Sequence, residues 1–102
     1  MSDTIFQKQG SHLTVKPVGR LDTATSPVLE KEMQAWLDGT VHITMDFSRV
    51  DYISSGGLRV LLSTEQLLEE RGGELRLIHV NRHIIDIFEM VGFMDVVKVE
   101  KD

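Results

Sequence analysis

The stretch Asp51-Tyr52-Ile53-Ser54-Ser55-Gly56-Gly57-Leu58-Arg59-Val60-Leu61-Leu62 decides how this chain is read. Before it, the segment Val41-His42-Ile43-Thr44-Met45-Asp46-Phe47 places apolar residues at 41, 43, 45 and 47. That period of two predicts a strand with His42, Thr44 and Asp46 on a wet face. After it, Leu58, Leu61, Leu62 and Leu68 recur at helical spacing and predict a helix. Two serines and two glycines therefore occupy a strand-to-helix junction, at or just before the helix N-terminus. A serine there can cap the helix, its oxygen accepting an orphan backbone N–H. Glycines let the chain turn tightly and let a second segment come close. The free N–H groups and the positive dipole end favour an anion. A hydroxyl at this point is thus either a cap or a place where phosphate can reside. A phosphate-cradling loop of the Gly-x4-Gly-Lys-Ser/Thr type is excluded, because no such lysine follows Gly56-Gly57. A nucleophile elbow is excluded because Ile53 stands where its first glycine would be.

Outward from this junction the chain alternates strands and helices. Thr4–Gln9 leads through Gly10-Ser11 to His12–Val18, two strands of which the second ends at Pro17 or lies at an edge. Ser26-Pro27 starts a helix with apolar residues at Leu29, Met33, Trp36 and Leu37, and Gly39 ends it. Trp36 is expected to anchor that helix on the sheet. Arg71-Gly72-Gly73 stops the helix after the junction, and Glu74–Val80 forms another strand. Asn81 is placed to cap a third helix carrying Ile84, Ile87, Phe88 and Val91 on one face. Val96–Val99 forms a last short strand. The order ββαβαβαβ predicts an α/β fold with a mainly parallel sheet, an antiparallel N-terminal strand and helices mainly on one face.

At 102 residues the chain is long enough for one core and too short for two, so residues 1–102 are expected to be one domain. The net charge of −5 argues against nucleic acid or an anionic membrane as the main partner. There is no cysteine, hence no disulfide and no thiolate chemistry, which fits a reducing cytoplasm. No apolar run reaches membrane-spanning length and no signal-peptide pattern opens the chain. His12, His42, His79 and His83 lack metal-ligand spacing, and three of them are expected on strands at solvated positions. Glu65, Glu69, Glu70 and Arg71 read as a solvated helix face. No base stands near Ser54 or Ser55 in sequence. No catalytic residue, metal site or cofactor is therefore expected, and the chain is not read as an enzyme.

Four segments together resemble the STAS domain family, and within it the anti-sigma factor antagonists. They are Gly19-Arg20-Leu21-Asp22, Asp46 through Leu58, Gly72-Gly73-Glu74-Leu75, and Ile87 through Phe93, in family order over nearly the whole chain. The resemblance implies a switch protein without catalysis. In its unphosphorylated form such an antagonist binds an anti-sigma factor that is also a serine-protein kinase and so releases the sigma factor. Phosphorylation of one serine ends the interaction, and a serine phosphatase restores it. Aligning Gly57-Leu58 with the family's Gly-Leu places the acceptor at Ser55, with Ser54 as the alternative. The family's usual Asp before the acceptor is Ser54 here, and its following Ser/Thr is Gly56. The implied partner-binding residues are Asp22, Thr23, Ser54, Ser55, Gly56 and Gly57. On its own chemistry Asp22 can also be a turn residue bonding its own backbone. Arg59 is either a surface contact or merely solvated. Because STAS domains also occur on transporters and in stress-signalling assemblies, a non-catalytic accessory or scaffold subunit is the second reading.

Overall fold

The computed structural model describes residues 3–100. Two strands open the chain, β1 (Ile5–Gln9) and β2 (His12–Lys16), paired antiparallel. A short strand β3 (Gly19–Leu21) follows, then helix α1 (Ser26–Gln34). Next come β4 (His42–Asp46), β5 (Val50–Ile53) and helix α2 (Ser55–Glu70). The chain continues with β6 (Glu74–Ile78), helix α3 (Arg82–Met90), a single 3-10 turn at Phe93–Asp95, and β7 (Lys98–Val99). The main sheet has the order β1-β2-β4-β6-β7, parallel everywhere except between β1 and β2.

Alternation within the strands divides the two faces of this sheet. Leu13, Val15, Ile43, Met45, Leu75 and Leu77 are all buried, while His12, Thr14, His42, Thr44, Glu74 and Arg76 face the other way. The buried face joins Leu29 and Met33 of α1, Val60, Leu61 and Leu68 of α2, and Ile84 and Phe88 of α3 in one continuous core. One face is covered and one is wet, as the alternation predicts.

Two strands beyond the expected set, β3 and β5, form a separate two-stranded parallel ribbon. Pro17, which has no N–H to donate, ends β2 at Lys16. The chain then steps sideways into β3, where the Gly19 N–H donates to the Arg49 carbonyl at 2.8 Å. On the other side, a turn in which the Val50 N–H bonds the Phe47 carbonyl at 3.0 Å carries the chain from β4 into β5. Parallel pairing of β3 with β5 has a direct geometric result. Both strands enter their helices at the same end of the ribbon, so the β3–α1 and β5–α2 junctions lie side by side.

Several local expectations change on sight of the structure. Asp46 keeps the parity of the wet face but is buried, at the end of β4. Its Oδ1 accepts from the Ser48 N–H at 2.9 Å and lies 3.0 Å from His79 Nδ1, and Lys16 Nζ lies 3.9 Å from its Oδ2. His79 is exposed as expected, but it lies just past β6 rather than in a strand, in the left-handed region at φ 58°, facing that carboxylate. Burial pushes Asp46 upward, but the Ser48 N–H, His79 and the Ser48 side chain outweigh it and hold the carboxyl below its ordinary value. Glu65 is half-buried, and its Oε2 accepts the Leu75 N–H at 2.8 Å. Burial raises its carboxyl above the usual value despite that bond. Arg71 is tied down too, donating through one Nη to the carbonyls of Leu37 (2.7 Å) and Thr40 (2.8 Å). Trp36 lies past the end of α1 and stacks on Phe6 of β1, with centroids 5.6 Å apart and planes 8° from parallel. It fastens the turn after α1 to the edge strand rather than burying in the core.

Candidate functional site

The site is built where the two neighbouring strand-to-helix junctions meet. Ser54 is the N-cap residue of α2, with extended backbone, and Ser55 is its first helical residue. The Ser54 N–H donates to the Leu21 carbonyl at 2.9 Å, extending the β3–β5 ladder by one rung. Its hydroxyl makes no capping bond; Oγ instead reaches toward the same Leu21 carbonyl, 3.4 Å away. Of the two roles open to a hydroxyl here, the Ser54 hydroxyl does not serve as the cap. The intrahelical ladder begins only with the Leu58 N–H donating to the Ser54 carbonyl at 3.0 Å. The N–H groups of Ser55, Gly56 and Gly57 therefore have no intrahelical acceptor. Ser55 is exposed while Ser54 is half-buried. Of these two serines, Ser55 is the one whose hydroxyl is not drawn to the Leu21 carbonyl, and it stands at the positive end of the α2 dipole.

The two glycines have different jobs. A Cβ on Gly56 would stand 3.3 Å from the Thr23 Cα and 3.4 Å from its N, so its bare backbone lets the 22–25 turn lie against the helix. A Cβ on Gly57 would stand 2.6 Å from Ile53 Cγ1 and 2.7 Å from the Leu21 carbonyl oxygen. Gly57 is buried, which removes it from the surface that a partner could touch. Its place in the site is to let α2 pack on the ribbon.

The 22–25 turn is closed by its own side chains. Asp22 Oδ1 accepts the N–H groups of Ala24 and Thr25, both at 3.0 Å. Thr25 Oγ1 in turn accepts the Asp22 N–H at 2.9 Å and donates to the Arg20 carbonyl at 2.5 Å. This is the reciprocal logic of a capping box, and the Ser26 N–H bonded to the Asp22 carbonyl at 2.9 Å already follows helical connectivity. Ser26, expected to start α1, is its first residue, but its buried Oγ finds no partner among the described residues. The N-cap residue Thr25 makes no side-chain capping bond; the Asp22 carboxylate instead closes the turn that leads into α1. The Thr25 N–H holds its carboxyl below the ordinary value; partial burial opposes this, and the Ala24 N–H, the Thr25 hydroxyl and Arg20 add to it. Arg20 Nε lies 3.5 Å from Asp22 Oδ2, and its guanidinium stands 4.5 Å from the centre of the Tyr52 ring. Arg59 is exposed on α2, four residues beyond Ser55.

Asp22, Thr23, Ser54, Ser55 and Gly56, far apart in sequence, thus form one surface. Sequence reasoning missed Thr25, whose signal was its place three residues after Asp22 at a helix start. Among the described residues no group of His, Asp and Glu could hold a metal, and no helix is long and apolar enough to cross a membrane.

The sequence matches the STAS domain profile over residues 4–102. The chain belongs to the STAS domain family. Within it, relatives of this chain include anti-sigma factor antagonists. BtrV of Bordetella bronchiseptica, assigned as an anti-sigma factor antagonist, is 38% identical over 82 residues, covering 79% of this chain and 71% of BtrV. The anti-sigma-B factor antagonist of Staphylococcus aureus is 32% identical over 94 residues, covering 91% of this chain and 87% of that protein. The fold is that of SpoIIAA, a Bacillus cell fate determinant whose structure is known unphosphorylated and phosphorylated. The unphosphorylated form superposes with a TM-score of 0.76 at 14% identity, over 97% of this chain and 88% of SpoIIAA. The phosphorylated form gives a TM-score of 0.73 at 15% identity, over 97% and 92%.

Proposed function

We propose that this STAS protein is a phosphorylation-switched antagonist that binds an anti-sigma factor with serine-kinase activity, through the surface formed by Asp22, Thr23, Ser54, Ser55 and Gly56. The observation that carries this reading is the setting of Ser55: exposed, first in α2, and free of the carbonyl contact that occupies Ser54. A phosphoryl group on Ser55 Oγ adds about −1.5 to −2 charge and three acceptor oxygens. The first-turn N–H groups and the helix dipole favour an anion there by roughly 0.3–1 kcal/mol, so the fold accommodates it. An interface arranged for a neutral hydroxyl does not, because the dianion must be desolvated or left unpaired, and each ~1.4 kcal/mol lost is tenfold in affinity. Phosphorylation then ends the complex, and a serine phosphatase resets it. The protein itself turns over nothing; it acts in the cytoplasm, without nucleic acid and without inserting into a membrane.

The test is a pull-down from the source organism with wild type, Ser55→Ala and Ser55→Asp, followed by incubation of the recovered kinase with wild type and ATP. Wild type and Ser55→Ala should retain the anti-sigma factor, Ser55→Asp should lose it, and mass spectrometry should place phosphate on Ser55. Phosphate on Ser54 would displace the acceptor by one residue. Modification of neither serine, with Ser55→Asp binding every partner normally, would sink the switch and leave the accessory or scaffold role.

A further inference from the structure

We infer that Thr25 is a positioning residue for partner recognition: its hydroxyl locks the 22–25 turn in the shape that the anti-sigma kinase reads beside Ser55. The inference rests on the proposed switch and adds a residue that makes no contact with the acceptor serine. One hydroxyl closes the turn at two points, taking the Asp22 N–H and giving its proton to the Arg20 carbonyl. Its 3.2 Å approach to Asp22 Oδ1 competes for that same proton. Without Oγ1, the Asp22 N–H and the Arg20 carbonyl lose these partners, and the turn keeps only the Asp22 carboxylate bonds and the Ser26 N–H on the Asp22 carbonyl. The turn matters beyond itself because it rests on the bare backbone of Gly56, one residue past Ser55. Thr23, the exposed residue of the turn nearest Gly56, has its position fixed by this closure. Asp22 takes part in the same lock, since its Oδ1 is committed to the N–H groups of Ala24 and Thr25. A preformed turn binds without first losing conformational entropy, so loosening it weakens recognition while leaving the acceptor hydroxyl intact.

The test measures steady-state phosphorylation by the anti-sigma kinase recovered with the wild-type chain, on wild type, Thr25→Val and Thr25→Ser. Valine keeps the shape and removes the hydroxyl. Thr25→Val should raise KM about tenfold, the equivalent of about 1.4 kcal/mol of lost preorganised binding. Its kcat should stay within about twofold, the signature of lost uniform binding. Thr25→Ser, which keeps the hydroxyl, should return KM to near the wild-type value. Thr25→Ala carries the same expectation as valine should the branched side chain not be accommodated, and far-UV circular dichroism checks that each variant is folded. A folded Thr25→Val or Thr25→Ala with wild-type KM overturns the inference, as does a Thr25→Ser protein as defective as valine. A wild-type chain that the kinase neither binds nor modifies overturns the proposed switch, and this inference with it. Ser55 modified normally in wild type and in all three variants overturns the positioning role alone.

Discussion

Replacing Gly57 and Gly56 separately with alanine should destabilise the fold to very different degrees. The added methyl at Gly57 would stand 2.6 Å from Ile53 Cγ1, 2.7 Å from the Leu21 carbonyl oxygen and 3.1 Å from Leu21 Cβ. Ordinary contact begins near 3.5 Å, so the overlap approaches ~1 Å on two sides. The Ile53 side chain is buried in the core and cannot swing aside freely. The Leu21 carbonyl is pinned, because it accepts the Ser54 N–H at 2.9 Å. Relief requires moving α2 or the ribbon, and overpacking of this kind costs about 1–3 kcal/mol. The gain in helix propensity from Gly to Ala returns up to ~1 kcal/mol, less in a first turn. The net expectation for Gly57→Ala is a loss of about 1–2 kcal/mol, or roughly 4–16 °C in Tm for a domain of this size. At Gly56 the nearest atoms are 3.3 and 3.4 Å away, which a few tenths of an ångström of movement relieve. Gly56→Ala should therefore lie within about 0.5 kcal/mol of wild type. Urea titration and thermal melts of both variants decide the matter. Gly57→Ala as stable as wild type, or less destabilised than Gly56→Ala, would refute the packing argument.

Asn81→Ala should cost about 1–3 kcal/mol in urea unfolding, because one amide both caps α3 through the Ile84 N–H at 2.9 Å and donates to the Val50 carbonyl at 3.1 Å; a loss below about 0.5 kcal/mol would count against that double role. Asp46 has a folded-state carboxyl held below 3.8, so the stability it contributes is present above that value and lost as pH falls through the folded one. Asp46→Asn should accordingly flatten the acid limb of a stability–pH curve below about pH 4. Glu65 has the opposite sign: its folded carboxyl is raised above 4.5, so ionisation weakens the fold as pH rises through that range. Glu65→Gln, which keeps an acceptor for the Leu75 N–H, should gain stability relative to wild type between about pH 4 and 7; a difference that stays flat would argue against it.

What the sequence discloses is the part governed by periodicity. The strand at 42–46, the helix at 55–70 and the helix at 82–90 announce themselves because their apolar residues recur at two or at about 3.6 positions. Asn81, expected as a cap, caps. The ribbon is silent in the sequence for a physical reason. In β5 the buried residues are Val50 and Ile53, three apart, so no alternation marks it; β3 has only three residues, one of them glycine. Asp46 reads as a wet-face residue because its parity is right, yet the strand ends there and the carboxylate turns to Ser48 and His79. Parity ceases to predict burial where the ladder stops. The site residues could be named through family resemblance. Their juxtaposition could not be derived from composition or spacing, since it depends on β3 pairing with β5.

That pairing also explains how the proposed switch site can be rigid and still accept a charge. The Leu21 carbonyl receives the Ser54 N–H, Gly57 fits against Leu21 and Ile53, and the 22–25 turn fits against Gly56. These contacts engage everything around Ser55 and leave its own hydroxyl outside the packing. A charge placed on that hydroxyl therefore changes no core contact, while helix N–H groups without intrahelical acceptors stand ready to meet it. Stability and recognition are separated by a single step along the chain. Ser54 belongs to the fold and Ser55 to the surface, so in the proposed switch the energetic consequence of a phosphate on Ser55 falls on the partner interface.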